Sequence, residues 1–207
     1  MSADGWHYAG AVDTETTGIG RDARVVQVAA LRMRWRWPDA TSVVPDVEFS
    51  DTYRLVSLVK PPTGTWFDPN AVRVTGIGPA QVAMAPSFTD VLPELRRVVC
   101  KLPVIAHNSP FDRRMLDREM QHTGDTTFDV AWICSMQAVR RTGLFASARL
   151  GDVARTLGIE PRGGLHDAGV DAELAGRVYA HVSRHAHHGV VSPARYAHQG
   201  MARGMKS

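Results

Sequence analysis

Ala9-Gly10-Ala11-Val12-Asp13-Thr14-Glu15-Thr16-Thr17-Gly18 carries a short apolar run into two acids and then a turn. The run Ala9–Val12 reads as a strand that stays buried. Side chains two apart on a strand point to one face, so Asp13 and Glu15 leave the same face at the strand's end. Carboxylates held that close repel unless a cation sits between them. Hard divalent cations take oxygen ligands and few others. The stretch therefore reads as half of a metal site. Acids before a glycine also serve simply to solvate a turn, so the remainder of the chain has to decide.

Outward from this stretch, Val25 to Trp37 alternates with period two. Leu31, Met33, Trp35 and Trp37 share one face and Arg32, Arg34 and Arg36 the other, the pattern of a half-buried strand. The arginine row reads as a solvated face ahead of a phosphate-binding one. Pro38 to Ser50 reads as a long hairpin connection, and Tyr53 to Val59 as a third strand closed by Pro61-Pro62. These three strands form a meander, since antiparallel neighbours need only short connections. Asp68 to Gly76 is a short helix with Pro69 in its first turn and Gly76 as its cap. Ser87-x-x-Asp90 is a capping box with Asp in place of Glu. It opens a helix through Val98 that Pro93 should bend.

Leu102 to Ala106 is a second core strand. It empties into His107-Asn108-Ser-Pro-Phe-Asp112, followed by a helix from Phe111 to about His122 that stops at Gly124. Phe128 to Val130 is a candidate strand. Helices follow at about 131–141, at Leu150–Leu157 capped by Gly158, and at His166–His185. From about Gly189 apolar periodicity is lost. The division expected is one domain over 1–188 and an irregular or mobile tail over 189–207. His181, His185, His187 and His188 read as a solvated helix end rather than a metal site.

The 207 residues suit one domain with a sizeable core. A net charge of +3 permits a polyanionic partner without requiring one. Cys100 and Cys134 lack metal or redox spacing and read as free, buried thiols. The first residues lack the basic-then-apolar order of a signal peptide, and no apolar run approaches a membrane span. The expectation is a cytoplasmic protein with no membrane partner.

Three acidic segments now stand in order: Asp13-Thr-Glu15, then Asn108-Ser-Pro-Phe-Asp112, then His166-Asp-Ala-Gly-Val-Asp171. Asp171 lies on an apolar helical stripe with Ala168, Leu174, Ala175 and Val178, where a carboxylate needs a partner or a cation. A helix-dipole role for it, or a site role for Asp167 instead, stays open on spacing alone. In that order and at those distances, the segments resemble the motifs of the DEDDh, or DnaQ-like, 3′–5′ exonuclease family. The resemblance extends to Val74-Thr-Gly-Ile77, Ala85-Pro-Ser-Phe88 and Asp171-Ala-Glu-Leu-Ala175, and so covers roughly residues 8 to 182. Gln27 departs from it, since many relatives carry Glu there. So does the long Trp35–Asp51 connection.

The resemblance implies an α/β fold of the ribonuclease H-like kind, a central mixed sheet flanked by helices on both sides. It implies two divalent cations, Mg2+ or Mn2+, held by Asp13, Glu15, Asp112 and Asp171, with Asp13 bridging both. Two such ions clamp a phosphodiester through an in-line displacement. His166 would take the proton from the attacking water, and an imidazole titrates where a general base is useful. Substrate contacts would come from Thr14, Thr16, Thr17, Thr75, His107, Asn108 and Phe111. Phe111 would either stack on a base or anchor its helix. The function implied is a metal-dependent 3′–5′ exonuclease on single-stranded or frayed DNA, of proofreading or repair type, releasing nucleoside 5′-monophosphates. The expected partners are nucleic acid with a free 3′ end, DNA placed ahead of RNA, and in the proofreading case a DNA polymerase. The alternatives are a 3′–5′ exoribonuclease for RNA end trimming and a catalytically silent nucleic-acid-binding accessory subunit.

Overall fold

The computed structural model describes residues 5–187. Its strands are β1 (His7–Thr16), β2 (Val25–Arg36), β3 (Asp46–Leu58), β4 (Val104–Ala106) and β5 (Trp132–Cys134). Its helices are α1 (Pro69–Thr75), α2 (Pro79–Val82), α3 (Phe88–Val99), α4 (Ser109–His122), α5 (Ser135–Thr142), α6 (Leu150–Leu157) and α7 (Ala168–His187). The sheet order is β3-β2-β1-β4-β5. The first three strands are antiparallel, whereas β4 runs parallel to β1 and β5 parallel to β4. The mixed sheet follows from the connections: hairpins join the first three strands, and helices cross over to the last two. This is the fold class that the sequence implies.

The period of two along β1 and β2 assigns the layers. Val12, Val28 and Ala30 face α3 and α4, meeting Val91, Leu95, Val98, Met115 and Leu116. Ala9, Ala11, Ala29, Leu31, Met33 and Trp35 face α7, meeting Ala168, Ala172 and Ala180. Small residues let α7 lie close on the sheet. A Cβ on Gly176 would come within 2.6 Å of the Met33 sulfur and 3.3 Å of Ala11 Cβ. Behind α7, helices α5 and α6 pack through Val139, Val153, Ala154, Leu174 and Val178.

The caps read from the sequence form as expected. Asp68 accepts from the Asn70 N–H, Ser87 and Asp90 make the capping box, and Gly76 and Gly158 end α1 and α6 in the left-handed region. Four expectations change. β3 begins at Asp46, so much of the expected connection is strand: Val47 and Phe49 pack beside the sheet core, and Glu48 and Asp46 pair with Arg34 and Arg36. The last strand is Trp132–Cys134 rather than Phe128–Val130, and α5 consequently starts at Ser135. Phe128 is instead a buried plug in the α3–α4 core. Cys100 is exposed and Cys134 partly so, because Cys100 caps α3 at the surface and Cys134 lies on the edge strand. The arginine row keeps the solvated face expected of it, with the Arg34 and Arg36 side chains 42% and 45% exposed, while Arg32 lies 3.7 Å over the Tyr53 ring and Arg34 and Arg36 lie over Trp6.

The fourth change is at His181, which is buried against its own helix rather than solvated, its Nδ1 2.8 Å from the Arg177 carbonyl oxygen. The side chains of His185 and His187, and the tail from His188 onward, lie outside the described residues. No helix among the described residues is long and apolar enough to cross a membrane.

One buried pair follows no pattern in the sequence. Arg24 makes a bidentate contact with Glu119 of α4, at 2.8 and 2.6 Å, and Glu119 also accepts the Val25 N–H at 3.0 Å. It ties the β1–β2 turn to α4. Removing one partner of a buried pair leaves the other uncompensated. Glu119→Ala should therefore cost about 3 kcal/mol in urea unfolding, and a loss below about 1 kcal/mol would show the pair to be no more than a surface contact.

Candidate metal centre and active site

The alternation that sorts the core also sorts the site. Asp13 and Glu15 share the parity of Ala9 and Ala11, so they leave β1 on the face that α7 covers. Thr14 points to the other face, where α4 begins. Its N–H and its hydroxyl both donate to Asp112 Oδ1, at 3.1 and 2.9 Å. Asp112 is 2% exposed in the first turn of α4. Because β4 runs parallel to β1, it delivers that turn to the same edge of the sheet. The chain turns from β4 into α4 at Asn108, which takes a left-handed φ of 73°, a conformation Asn tolerates better than most residues.

The third segment is fixed by an amide. Asp167 caps α7, accepting the Gly169 and Val170 N–H groups at 3.0 and 3.1 Å. Gln27 donates to the other oxygen of Asp167 at 3.0 Å and accepts the Ala168 N–H at 3.0 Å. Gln27 stands opposite Glu15 in the β1–β2 register. One side chain thus links the strand that carries Glu15 to the start of α7. Asp167 is engaged as a cap, and Asp171, one turn on, faces the other acids. Asp171 Oδ2 accepts the His166 N–H at 3.1 Å, while its Oδ1 is buried with no hydrogen-bond partner. Ligand atoms of Glu15, His166 and Asp171 lie within 4.8 Å of one another.

The electrostatics follow from crowding. Burial, then the charges of Asp112, Glu15 and Asp171, push the Asp13 carboxyl well above its ordinary range. Burial and the charges of Asp171 and Asp112 push Glu15 up to about 8. Burial pushes Asp112 up to about 7, against the lowering effect of its Thr14 hydrogen bonds. Asp171 is raised by burial, with the His166 N–H acting against it. A cluster of oxygen donors that repel one another, with one buried lone oxygen, fits a hard divalent cation.

The expected substrate residues divide. Thr16 donates to the Gly18 carbonyl at 2.6 Å, and Thr17 accepts the Arg24 N–H at 3.1 Å, so both hydroxyls shape the turn after β1. Thr75 donates to Ala71 O at 3.0 Å and lines a cavity with Gln27, His166 and Asp167. His107 has both ring nitrogens engaged, with Ser135 Oγ and Ala148 O, each at 2.8 Å. It fastens the end of β4 to α5 and leaves no ring nitrogen for a ligand. Phe111 packs partly against the α3–α4 core with Arg114 over its ring. Asn108 is exposed. Two further residues emerge only from the structure. Gln27 stands in the sequence as a departure without a role. Trp66 is 69% exposed on a cleft shared with Thr17, Gly18 and Ile19, and a lone Trp in a loop carries no spacing signal.

A family model described as exonuclease, RNase T, matches residues 11–179. No curated protein sequence matches the chain. Several solved structures share its fold. Exonuclease X in complex with 5′ overhanging duplex DNA is 22% identical, with a TM-score of 0.62 over 85% of this chain and 91% of that one. The nuclease domain of 3′hExo, a DEDDh family member bound to rAMP, is 17% identical, with a TM-score of 0.65 over 86% and 92%. Escherichia coli exonuclease I in complex with a dA16 oligonucleotide is 20% identical, with a TM-score of 0.66 over 86% of this chain and 41% of that one. Sheet, layers and acid cluster together define a nuclease of ribonuclease H-like fold. The chain belongs to the exonuclease family whose model it matches.

Two measurements follow from this geometry. A carboxyl whose folded pKa is raised keeps its proton longer in the folded state, so raising the pH destabilises the fold. For Glu15 and Asp112 that loss should accumulate from about pH 4, the ordinary range, up to their folded values of about 8 and 7. The metal-free protein should melt lower at alkaline than at mildly acidic pH, and Mn2+ should abolish that difference. Melting temperatures indifferent to both would refute the repulsion. Separately, Gln27→Glu should destabilise by about 1–3 kcal/mol, because a carboxylate cannot donate to Asp167. Adding Asp167→Asn returns a donor and an acceptor to the contact and should restore stability. A double variant no better than the single one would rule out the amide link.

Proposed function

We propose that this chain is a metal-dependent 3′–5′ exonuclease that hydrolyses single-stranded or frayed DNA and releases nucleoside 5′-monophosphates. The observation that carries the reading is the convergence of Asp13, Glu15, Asp112 and Asp171 at one sheet edge, with Asp171 Oδ1 buried and unpartnered. These four would hold two divalent cations, Mg2+ or Mn2+. Bound there, such ions supply Lewis acidity to a phosphodiester and make water a usable nucleophile near neutral pH.

The side chains do the rest. His166 is exposed at the mouth of the cluster, with a ring nitrogen within 4.8 Å of carboxylate oxygens of Glu15 and Asp171. It acts as general base, taking the proton of the attacking water. Its backbone N–H holds Asp171 in place, so base and ligand move as one unit. Thr14 holds Asp112 in the same sense. Backbone groups of the Thr14–Thr17 stretch and the exposed Asn108 side chain border the place where a terminal nucleotide would sit. Thr75 borders it from the His166 side. Phe111 contributes mainly as an anchor, since it is partly buried under Arg114.

RNA is the second reading, favoured by one comparison: a 3′-exonuclease recognising a histone mRNA stem-loop has the same fold, with a TM-score of 0.65 at 16% identity. The deciding assay uses 5′-labelled single-stranded DNA and RNA of one sequence, with Mg2+, Mn2+ or EDTA. A metal-dependent ladder shortening from the 3′ end is expected, and the DNA-to-RNA rate ratio picks the sugar. Asp13→Ala should remove the ladder while the fold survives, and His166→Ala should slow it by a factor on the order of 10^2 or more. Asp13→Ala with full activity, or a wild-type ladder in EDTA, would refute the site.

A further inference from the structure

Helix α4 leaves the candidate active site and lines a groove that the chemistry above does not use. The groove encloses about 860 Å3 between α4, β5 and α5. It opens at Ser109 and Pro110, in the same turn as Asp112, and reaches Gln121. At 1.5 Å per residue that is about 18 Å of helix. Arg113, Arg114 and Arg118 line it from α4 and Arg141 from α5, and Trp132 of β5 lines it as well. Asp117 is the single acid among the lining residues. Its contact with Arg113 is long, at 3.5 Å, with the arginine 56% and the acid 24% exposed, and pairs open to solvent on one side bind weakly. The indole N–H of Trp132 and Oδ1 of Asp117 are buried there without hydrogen-bond partners.

We infer that this groove is a track for the phosphodiester backbone of a single nucleic-acid strand, holding the nucleotides that precede the 3′ end. Arginine suits the place because its planar donors match phosphate oxygens, and a partly exposed Trp132 on the same groove suits bases of any sequence. Continuity with the turn of Asp112 makes the occupant the strand that enters the site. The cleft beside Trp66 is the weaker candidate for a phosphate track, since Asp22 and Asp68 line it alongside its arginines. The inference rests on the nuclease reading for what the strand is, and its test separates the two.

The experiment compares the full chain with the variant Arg113→Gln/Arg141→Gln, both positions being exposed. Binding of a fluorescein-labelled oligothymidylate about twelve nucleotides long is followed by anisotropy in EDTA across a salt series. The variant should bind about tenfold more weakly, and its log–log salt slope should fall by about 1.4, roughly 0.7 for each phosphate that no longer meets a cation. In Mn2+, the KM for the same oligonucleotide should rise to match while kcat holds. Hydrolysis of the p-nitrophenyl ester of thymidine 5′-monophosphate, which is too short to reach the groove, should not change. Equal affinity and equal slope in the two proteins would overturn the track. So would polyglutamate displacing the oligonucleotide as well as unlabelled DNA does. A wild type that binds through these arginines yet hydrolyses neither substrate would sink the nuclease reading and leave the groove standing.

Discussion

Four carboxylates held together out of water are the constraint on which this molecule turns. Among the described residues none of Asp13, Glu15, Asp112 and Asp171 forms an ion pair. Like charges in a partly buried site cost free energy that the scaffold must meet elsewhere. The surroundings show how each acid is restrained. Thr14 grips Asp112, the His166 backbone grips Asp171, and the strand itself fixes Asp13 and Glu15 two residues apart. Such fixed donors and a hydrophobic backing keep the cluster assembled without a compensating protein cation.

The means of assembly is the sheet's parity. Odd positions of β1 face α7 and even positions face α4, so a single strand end addresses both layers. Two acids meet α7, and the threonine between them meets α4. This works only if α7 lies tight against the sheet. Ala168, Ala172, Gly176 and Ala180 supply the room. A longer side chain at Gly176 would lift the helix, and with it Asp171, away from the strand end.

Much of this is legible from residue order. The β1 parity, the Val25–Trp37 alternation, the caps at Asp68, Ser87, Gly76 and Gly158, and the stripe carrying Asp171 are local signals, and local signals survive folding. What escapes is non-local. Gln27 looks like a neutral departure because nothing near it in sequence reveals that it meets Asp167 across 140 residues. The Arg24–Glu119 pair lies 95 residues apart and follows no spacing rule. Strand β5 falls a few residues from its expected place because a three-residue strand gives too short a pattern to separate from its flanks, and Phe128 looks as much like strand as like plug. Spacing does not tell Asp167 from Asp171. Only the capping geometry assigns one to the helix end and the other to the cluster.

Two of the residues flanking the cluster, Asn108 and His166, sit in the left-handed backbone region at φ 73° and 66°. For Asn that conformation is mild, whereas for His it works against the ordinary preference of an L-residue by roughly 1–2 kcal/mol. Glycine would relieve it at either place and would remove the imidazole from the second. Selection for heat resistance alone would therefore drift toward a better-folded protein lacking its ring at position 166. If that ring is the proposed base, the strain at this turn is the cost of keeping glycine out.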